Sequence, residues 1–345
     1  MNILFAYHLS EADNQFIKIH IGILQDLGYM VTASLEEFWE PSKPYDFVVI
    51  NWPESFFGWR VNISDEQVMQ LNAALVRWKE SAAKVLTFVH DEYSHFGRGA
   101  NMNLLFEQCY GKSDVLIHLG NYSKTKYSYL YPDAVHHVIH HPLYTDFETD
   151  IRRDLARKEI GISEKEYLVF VPGAIRKTEE REYCLAIYRK LPAKNKRLVF
   201  QKTDFLAKPQ HLKNFIDLKV WVYYLFHSHK FKFLENIVFL QGFMENRKLS
   251  AYFAASDLVI IPRTDILNSG NILLAAQFGI PTVGTGAGNM EEILTTLEQL
   301  VIPQVNLTDR EISIPPKKSG KIIAAVERYA HNDVIRKQWQ QILKP

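Results

Sequence analysis

The chain has little cysteine, almost no net charge and no long apolar run. Its 345 residues include two cysteines, Cys109 and Cys184, far apart and without metal-type spacing. That excludes a disulfide framework and a cysteine-ligated zinc centre, and both read as reduced thiols in a cytosolic protein. No apolar stretch approaches the roughly 20 residues that a membrane span needs. The opening MNILFAYHLSEADNQ has no basic n-region and turns acidic early, so no secretory signal is expected. The net charge of +1 excludes a nucleic-acid partner held by bulk charge. There is no Walker A pattern and no Gly-x-Ser-x-Gly elbow, and neither cysteine has a catalytic setting. Gly284-Thr285-Gly286-Ala287-Gly288 has the glycine spacing of a dinucleotide loop, but it follows a late strand, whereas that fingerprint follows the first.

What is present is enough for two domains. Hydrophobic residues make up 47% of the chain and charged residues 23%, which supports a sizeable core and excludes wholesale disorder. The charge is unevenly spread. Residues 1–150 hold 10 basic and 19 acidic side chains, and residues 151–345 hold 30 and 20. Either the halves simply attract each other, or the basic half holds an anionic ligand.

The hydrophobic pattern alternates between strand and helix. Met1–Tyr7, Met30–Ala33, Tyr45–Asn51, Lys84–Val89, Asp114–His118 and Val135–His140 read as buried parallel strands. A helix with Phe16, Ile19, His20, Ile23, Leu24 and Leu27 near a 3.6-residue period precedes Gly28, placed as a C-cap, and another is expected over about Asp65–Ala83. The pattern restarts with strands at Tyr167–Pro172, Arg197–Gln201, Ile237–Leu240, Leu258–Ile261 and Thr282–Gly284, with a helix near Glu179–Lys190. Two βαβ domains in series are expected, 1–150 and 151–320, joined near Pro142–Arg153. A last helix, about Ser319–Leu343, packs back toward the first. Ligands of such sheets bind beyond the carboxyl ends of the strands, so functional residues are sought there.

The segment Asp257–Glu292 carries the strongest signal. A strand ends at Pro262, a polar loop follows, and Asn268-Ser269-Gly270-Asn271 opens an apolar helix. Such a start exposes backbone N–H groups and the positive end of the helix dipole. Ser269 is placed to cap the helix, and Gly270 lets a diphosphate approach the backbone. The plain alternative is a helix cap with no ligand.

In its order of strand, loop, helix, Gly279-Ile280-Pro281 turn, strand and Gly286–Glu291 loop, this segment resembles the donor-binding segment of GT-B fold glycosyltransferases. The Ser-Gly helix start is similar to a branch of bacterial surface-polysaccharide enzymes that includes β-mannosyltransferases. Asn51-Trp52-Pro53-Glu54 resembles that branch's HWP element, and Thr87–Glu92 with His95 its TVHN…PH element. His140-His141-Pro142-Leu143-Tyr144 resembles the HP-x-Y linker, and Gly173-Ala174-Ile175-Arg176 the G-x-x-R turn. The resemblance covers most of the chain and implies an α/β GT-B architecture, two Rossmann-like domains facing across a cleft. The first would bind the acceptor and the second a nucleotide-diphosphate sugar.

The sequence also departs from that family. Many retaining relatives carry two glutamates eight positions apart, where this chain has about Ile266 and Leu274. The lysine of G-x-x-R-x-x-K is replaced by Glu179 or a neighbour. The departing nucleoside diphosphate needs positive charge fixed in advance. Arg176, Lys202 and Arg263 each follow a strand and are placed to converge, with Ser269, Gly270 and Asn271 adding the helix terminus. Glu291 is expected to accept from a sugar or ribose hydroxyl, or simply to offset a helix dipole. No metal and no cofactor beyond the donor is expected. For the acceptor, Asp91 is the expected general base, followed by His90, with Glu92 beside them. Asn51 and Glu54 would bind acceptor hydroxyls. Trp52 either stacks on a sugar or packs in the core, and His90 has a structural alternative too.

His136, His137, His140 and His141 cluster in sequence, but strand-like alternation splits the pairs between faces and argues against zinc. The aromatic, basic stretch Phe215–Phe233 fits either a core helix with a basic end or a helix lying on an anionic membrane. The expected partners are thus a nucleotide sugar and a glycan or lipid-linked acceptor, with peripheral contact at the cytoplasmic face of the inner membrane. Two other classes fit: a non-catalytic nucleotide-sugar or glycan-binding partner of an active transferase, and a GT-B fold sugar-nucleotide epimerase.

Overall fold

The computed structural model describes residues 1–9, 15–94, 99–203, 219, 221–222, 235–240, 242, 244–304 and 319–343. Two compact units result. The first comprises Met1–Tyr144, Ile266–Asn268 and Arg328–Pro345, and the second Thr145–Asp265 and Ser269–Glu327.

The first unit is built on six strands: β1 Asn2–Phe5, β2 Met30–Ala33, β3 Phe47–Ile50, β4 Lys84–Val89, β5 Val115–His118 and β6 Val135–Val138. They pair in parallel in the order β2-β1-β3-β4-β5-β6. Alternate side chains of a strand point to opposite faces, and both faces are covered. Ile3, Phe5, Val49 and Phe88 pack with Phe16, Ile17 and Leu24 of the helix Gln15–Asp26. Leu4, Val48, Ile50 and Val85 pack with Leu71, Leu75 and Leu105 of the helices Asp65–Glu80 and Ala100–Gly111. The helix Asp65–Glu80 starts in a capping box between Ser64 and Gln67. Because the chain runs from β1 out to β2 and then returns to β3 on the other side, the connections diverge between β1 and β3.

The second unit repeats the principle with β7 Tyr167–Ile175, β8 Lys196–Thr203, β9 Ile237–Phe239, β10 Leu258–Ile261, β11 Thr282–Gly284 and β12 Leu300–Val301. The order is β12-β11-β10-β7-β8-β9, again parallel, so the divergence lies between β7 and β10. Arg157 ties this unit together from within. It is fully buried, and it donates to the carbonyls of Ala255, Ser163 and Glu166 and to Asp257. Asp257 in turn accepts from Arg153 and the Leu168 amide.

Three features differ from the sequence reading. β12 was not foreseen, because two residues are too few for a period-2 pattern. Short helices at Leu35–Trp39 and Arg153–Ile160 likewise escaped it. The single C-terminal helix is two, Gly320–Ala330 and Asn332–Ile342, interrupted at His331, whose ring accepts from the Asp333 amide as an N-cap. The second of these buries Trp339 completely in the first unit, where its indole N–H donates to His20 Nδ1 at 2.9 Å. The Phe215–Phe233 stretch and His95 lie outside the described residues, apart from isolated positions within the former. Among the described residues no helix is long and apolar enough to cross a membrane.

Candidate functional site

In an open parallel sheet the crevice for a ligand forms beyond the strand ends at the point where connections diverge. In the second unit that point lies between β7 and β10, and the residues there meet around Gly173. The register of β7 against β8 shifts between Val171 and Ala174, and Gly173 has φ +80°. A Cβ at this position would lie 3.1 Å from Arg263 Nη2 and 3.4 Å from Asn271 Nδ2. The bare glycine therefore lets nitrogens from two separate segments close over it. Its own amide donates to Gln201 Oε1 at 2.6 Å, from the neighbouring strand β8.

Arg263 follows β10 directly after Pro262 and is 9% exposed. Its Nη1 donates to Glu180 Oε1 at 2.8 Å and to Oε2 at 3.0 Å. Glu180, itself buried, also accepts from the Arg176 amide at 2.8 Å. The Thr285 hydroxyl donates to the Arg263 carbonyl and holds the backbone end. The charge of Arg263 is thus compensated inside the protein. That distinguishes it from Arg176 and Lys202, whose side chains are exposed at the ends of β7 and β8. The β7–β8 register sets Lys202 opposite Ala174, two residues from Arg176.

Ser269 occupies the N-cap of the helix Gly270–Gln277, and Asn271 is its second residue. The expectation that the Ser269 hydroxyl caps this helix is corrected, since it makes no capping bond. By contrast, the hydroxyls of Ser34 and Ser64 do cap their helices. Glu291 is exposed in the first turn of Met290–Thr296, with its Cβ 3.5 Å from where a Cβ on Gly286 would stand.

In the first unit the divergence lies between β1 and β3, and β4 ends beside β3. Asn51 and Trp52 follow β3, and His90, Asp91 and Glu92 follow β4. The Trp52 ring stacks on His90 at 4.8 Å and 27°. His90 Nε2 lies 2.8 Å from Asn51 Oδ1, an atom that can only accept, so Nε2 carries the proton. The His90 carbonyl accepts from Asn268 Nδ2 at 2.7 Å, and the Asp91 carbonyl accepts from the Tyr110 hydroxyl at 3.0 Å. Asp91 is half-buried, and Glu92 forms an ion pair with Lys126 at 2.5 Å. Glu54 is fully buried in the short helix Pro53–Phe57 and is not presented to solvent.

Behind these residues lies an imidazole cluster around Phe16, whose ring meets His20, His90 and His141 edge-on at 4.4, 4.6 and 5.1 Å. Burial, with help from His141, holds the His20 pKa down to about 3, and burial brings His141 down to about 4. Both are neutral at physiological pH. Three of the four clustered histidines go to different partners. His136 meets His118 at 2.9 Å, His140 stacks on Tyr329 at 4.0 Å and donates to its carbonyl, and His141 donates to the Pro142 carbonyl. Both cysteines are free and buried, and burial pushes their thiols up.

Sequence reasoning missed Glu180, Gln201, Lys126 and the pairing of Asn268 with His90. For Glu180 the nearest signal was its neighbour Glu179, the acidic residue where a lysine was expected. The others join segments distant in sequence, which no local pattern reports.

No protein-family model matches the sequence, and no curated protein matches it. Solved structures do. Sucrose-phosphate synthase from Thermosynechococcus elongatus superposes with a TM-score of 0.69 at 12% identity, over 99% of this chain and 97% of that one. HepE from Anabaena, in complex with UDP and glucose, gives 0.64 at 14% identity over 99% of both chains. The α,α-trehalose 6-phosphate synthase from Burkholderia multivorans gives 0.60 at 12% identity over 99% and 96%. Full-length superposition on these structures, with two parallel six-stranded sheets, shows that the chain has the GT-B fold.

Proposed function

We propose that this protein is a glycosyltransferase, moving a sugar from a nucleotide-diphosphate donor to a glycan or lipid-linked glycan acceptor during assembly of cell-surface polysaccharide. The observation that carries the reading is the convergence of Arg263, Asn271 and the start of the helix Gly270–Gln277 over Gly173, at the divergence point of the second sheet. The neighbours support the donor class, since HepE has been solved with UDP and glucose and with UDP-glucose. In this reading Arg176, Lys202 and the helix start take up the charge of the departing diphosphate, without a metal. Arg263 shapes the cradle through its Nη2, Ser269 and Gly270 line the helix end, and Glu291 accepts from the donor's hydroxyls. Asp91 serves as general base, with His90 and Glu92 beside it and Asn51 and Trp52 holding His90 in place. The protein works in the cytoplasm, at the membrane face where lipid-linked acceptors lie.

A second reading, a non-catalytic nucleotide-sugar-binding partner of an active transferase, is favoured by the internal neutralisation of Arg263 by Glu180. One experiment addresses both. Thermal unfolding is followed with UDP, GDP, CMP and dTDP, for the wild type and for Arg176→Ala and Lys202→Ala. A ligand at 100 times its Kd adds about 2.7 kcal/mol. One nucleotide diphosphate that stabilises the wild type and not the variants is the expected result. A panel without any shift overturns the transferase reading, and a shift without transfer or donor hydrolysis selects the partner reading.

A further inference from the structure

We infer that Trp59 is the aromatic platform on which a pyranose ring of the acceptor rests, an assignment that depends on the glycosyl-transfer reading above. The sequence left Trp52 between this role and core packing, and the structure encloses that ring. Trp52 is 9% exposed, stacked on His90 and flanked by Tyr7 at 5.9 Å and Phe16 at 6.4 Å. Trp59, seven residues on, is 37% exposed, and its ring centroid lies 5.7 Å from that of Trp52. Among the described tryptophans it is the most exposed.

The backbone places it there against its own preference. Gly58 at φ 68° closes the short helix Pro53–Phe57, and Trp59 follows in the same left-handed region at φ 60°. Its amide donates to the Glu54 carbonyl at 3.1 Å, which holds the turn. Glycine adopts this region freely, whereas a side chain as bulky as indole does so only where the surroundings over-determine it, and such outliers gather at ligand sites. Of the three described non-glycine residues with positive φ, Trp59 is the one aromatic, the others being Asn236 and Glu298. The turn also follows β3, which borders the divergence point of the first sheet. An indole face is electron-rich and apolar, and it is matched by the C–H face of a pyranose. Its rigid ring loses little freedom on binding.

The test uses the full chain and simple glycosides as probes: methyl β-D-glucoside, methyl α-D-mannoside and methyl β-D-galactoside. The indole N–H spectrum is titrated with each, the Trp59 signal being the one lost in Trp59→Phe. At least one glycoside is expected to move that signal saturably. Saturation transfer to the same glycoside should persist in Trp59→Phe and weaken about tenfold in Trp59→Gly, the size of one lost ring contact. Glycine suits φ 60°, so this variant keeps the fold, and Trp59→Phe provides a second measurement if it does not. A Trp59 signal that no glycoside moves, or a Trp59→Gly variant that binds as the wild type, overturns the assignment. UDP-glucose is run in parallel by thermal unfolding. If it binds while Trp59 stays silent, only this inference fails, and if no nucleotide binds, the glycosyl-transfer reading fails whatever Trp59 does.

Discussion

Glu180 receives Arg263 Nη1 on both carboxylate oxygens and the Arg176 amide on one of them, so a single buried carboxylate ties the end of β10 to the turn after β7. Glu179 stands where the family resemblance led one to expect a lysine, and its buried neighbour Glu180 holds an arginine.

Breaking that pair by one partner leaves a buried charge uncompensated. Glu180→Ala should cost about 3–5 kcal/mol, and Glu180→Met with Arg263→Met together should cost much less than either alone. Urea unfolding of the two singles and the double gives the coupling directly. If the double variant is as unstable as the sum of the singles, the pair contributes no mutual stabilisation. The folded double variant also isolates the role of Arg263 in nucleotide binding.

Gly173→Ala tests the cradle itself. The backbone at φ +80° disfavours any side chain, and the added Cβ would press on Arg263 Nη2 at 3.1 Å. The expected stability loss is about 1–3 kcal/mol. Nucleotide-diphosphate affinity should fall by at least about tenfold, or 1.4 kcal/mol, because the two nitrogens are displaced. Calorimetric titration beside the unfolding curve separates the effects, and unchanged affinity would remove Gly173 from the site.

Stability should fall steeply in mild acid. His20 and His118 are held to about 3 and His141 to about 4 by burial, against 6.5 for a free imidazole. Below pH 6.5 the unfolded chain binds protons that the native state refuses, so stability present above that pH is lost as pH falls toward 4. At pH 5 each imidazole taken by itself has forfeited about 2 kcal/mol. Thermal unfolding at pH 7.5 and pH 5 measures this. His20→Gln should lower the proton uptake on unfolding by about one, and an unchanged uptake would place the sensitivity elsewhere.

Trp339 is fully buried and bonded to His20, although it lies on the last helix of the chain. Trp339→Ala should cost about 3–5 kcal/mol, as large-to-small core changes do. Trp339→Phe keeps most of the volume and loses the hydrogen bond, so about 1 kcal/mol is expected. Equal losses in the two variants would mean that the bond, not the packing, anchors the helix.

Much of the fold was legible because it rests on local pattern. The strands YDFVVIN, KVLTFV and LVII are continuous apolar runs, as strands buried on both faces must be, and β3, β4 and β10 lie within them. Gly28 stands just past the helix Gln15–Asp26 at φ 85°, where a C-cap glycine belongs. The motif residues fall at strand ends for the same reason. What local pattern could not report was how far each candidate is free to meet a ligand. Arg176, Lys202 and Arg263 look equivalent in sequence, each a cation after a strand. Among the described residues only Arg263 of the three is enclosed and charge-compensated, because Glu180 from another segment reaches it.

The sequence by itself determined the alternation of strand and helix, the division into two parallel α/β units and the candidate residues at the strand ends. All of these follow from hydrophobic period and from the short reach of turns and caps. The tertiary structure alone decided which side chains meet. It set Arg263 and Asn271 over Gly173, sealed Trp52 against His90, turned Trp59 outward and buried three neutral imidazoles. Those outcomes depend on strand order and on packing between segments far apart in the chain, where burial and partner geometry, not residue type, set charge and access.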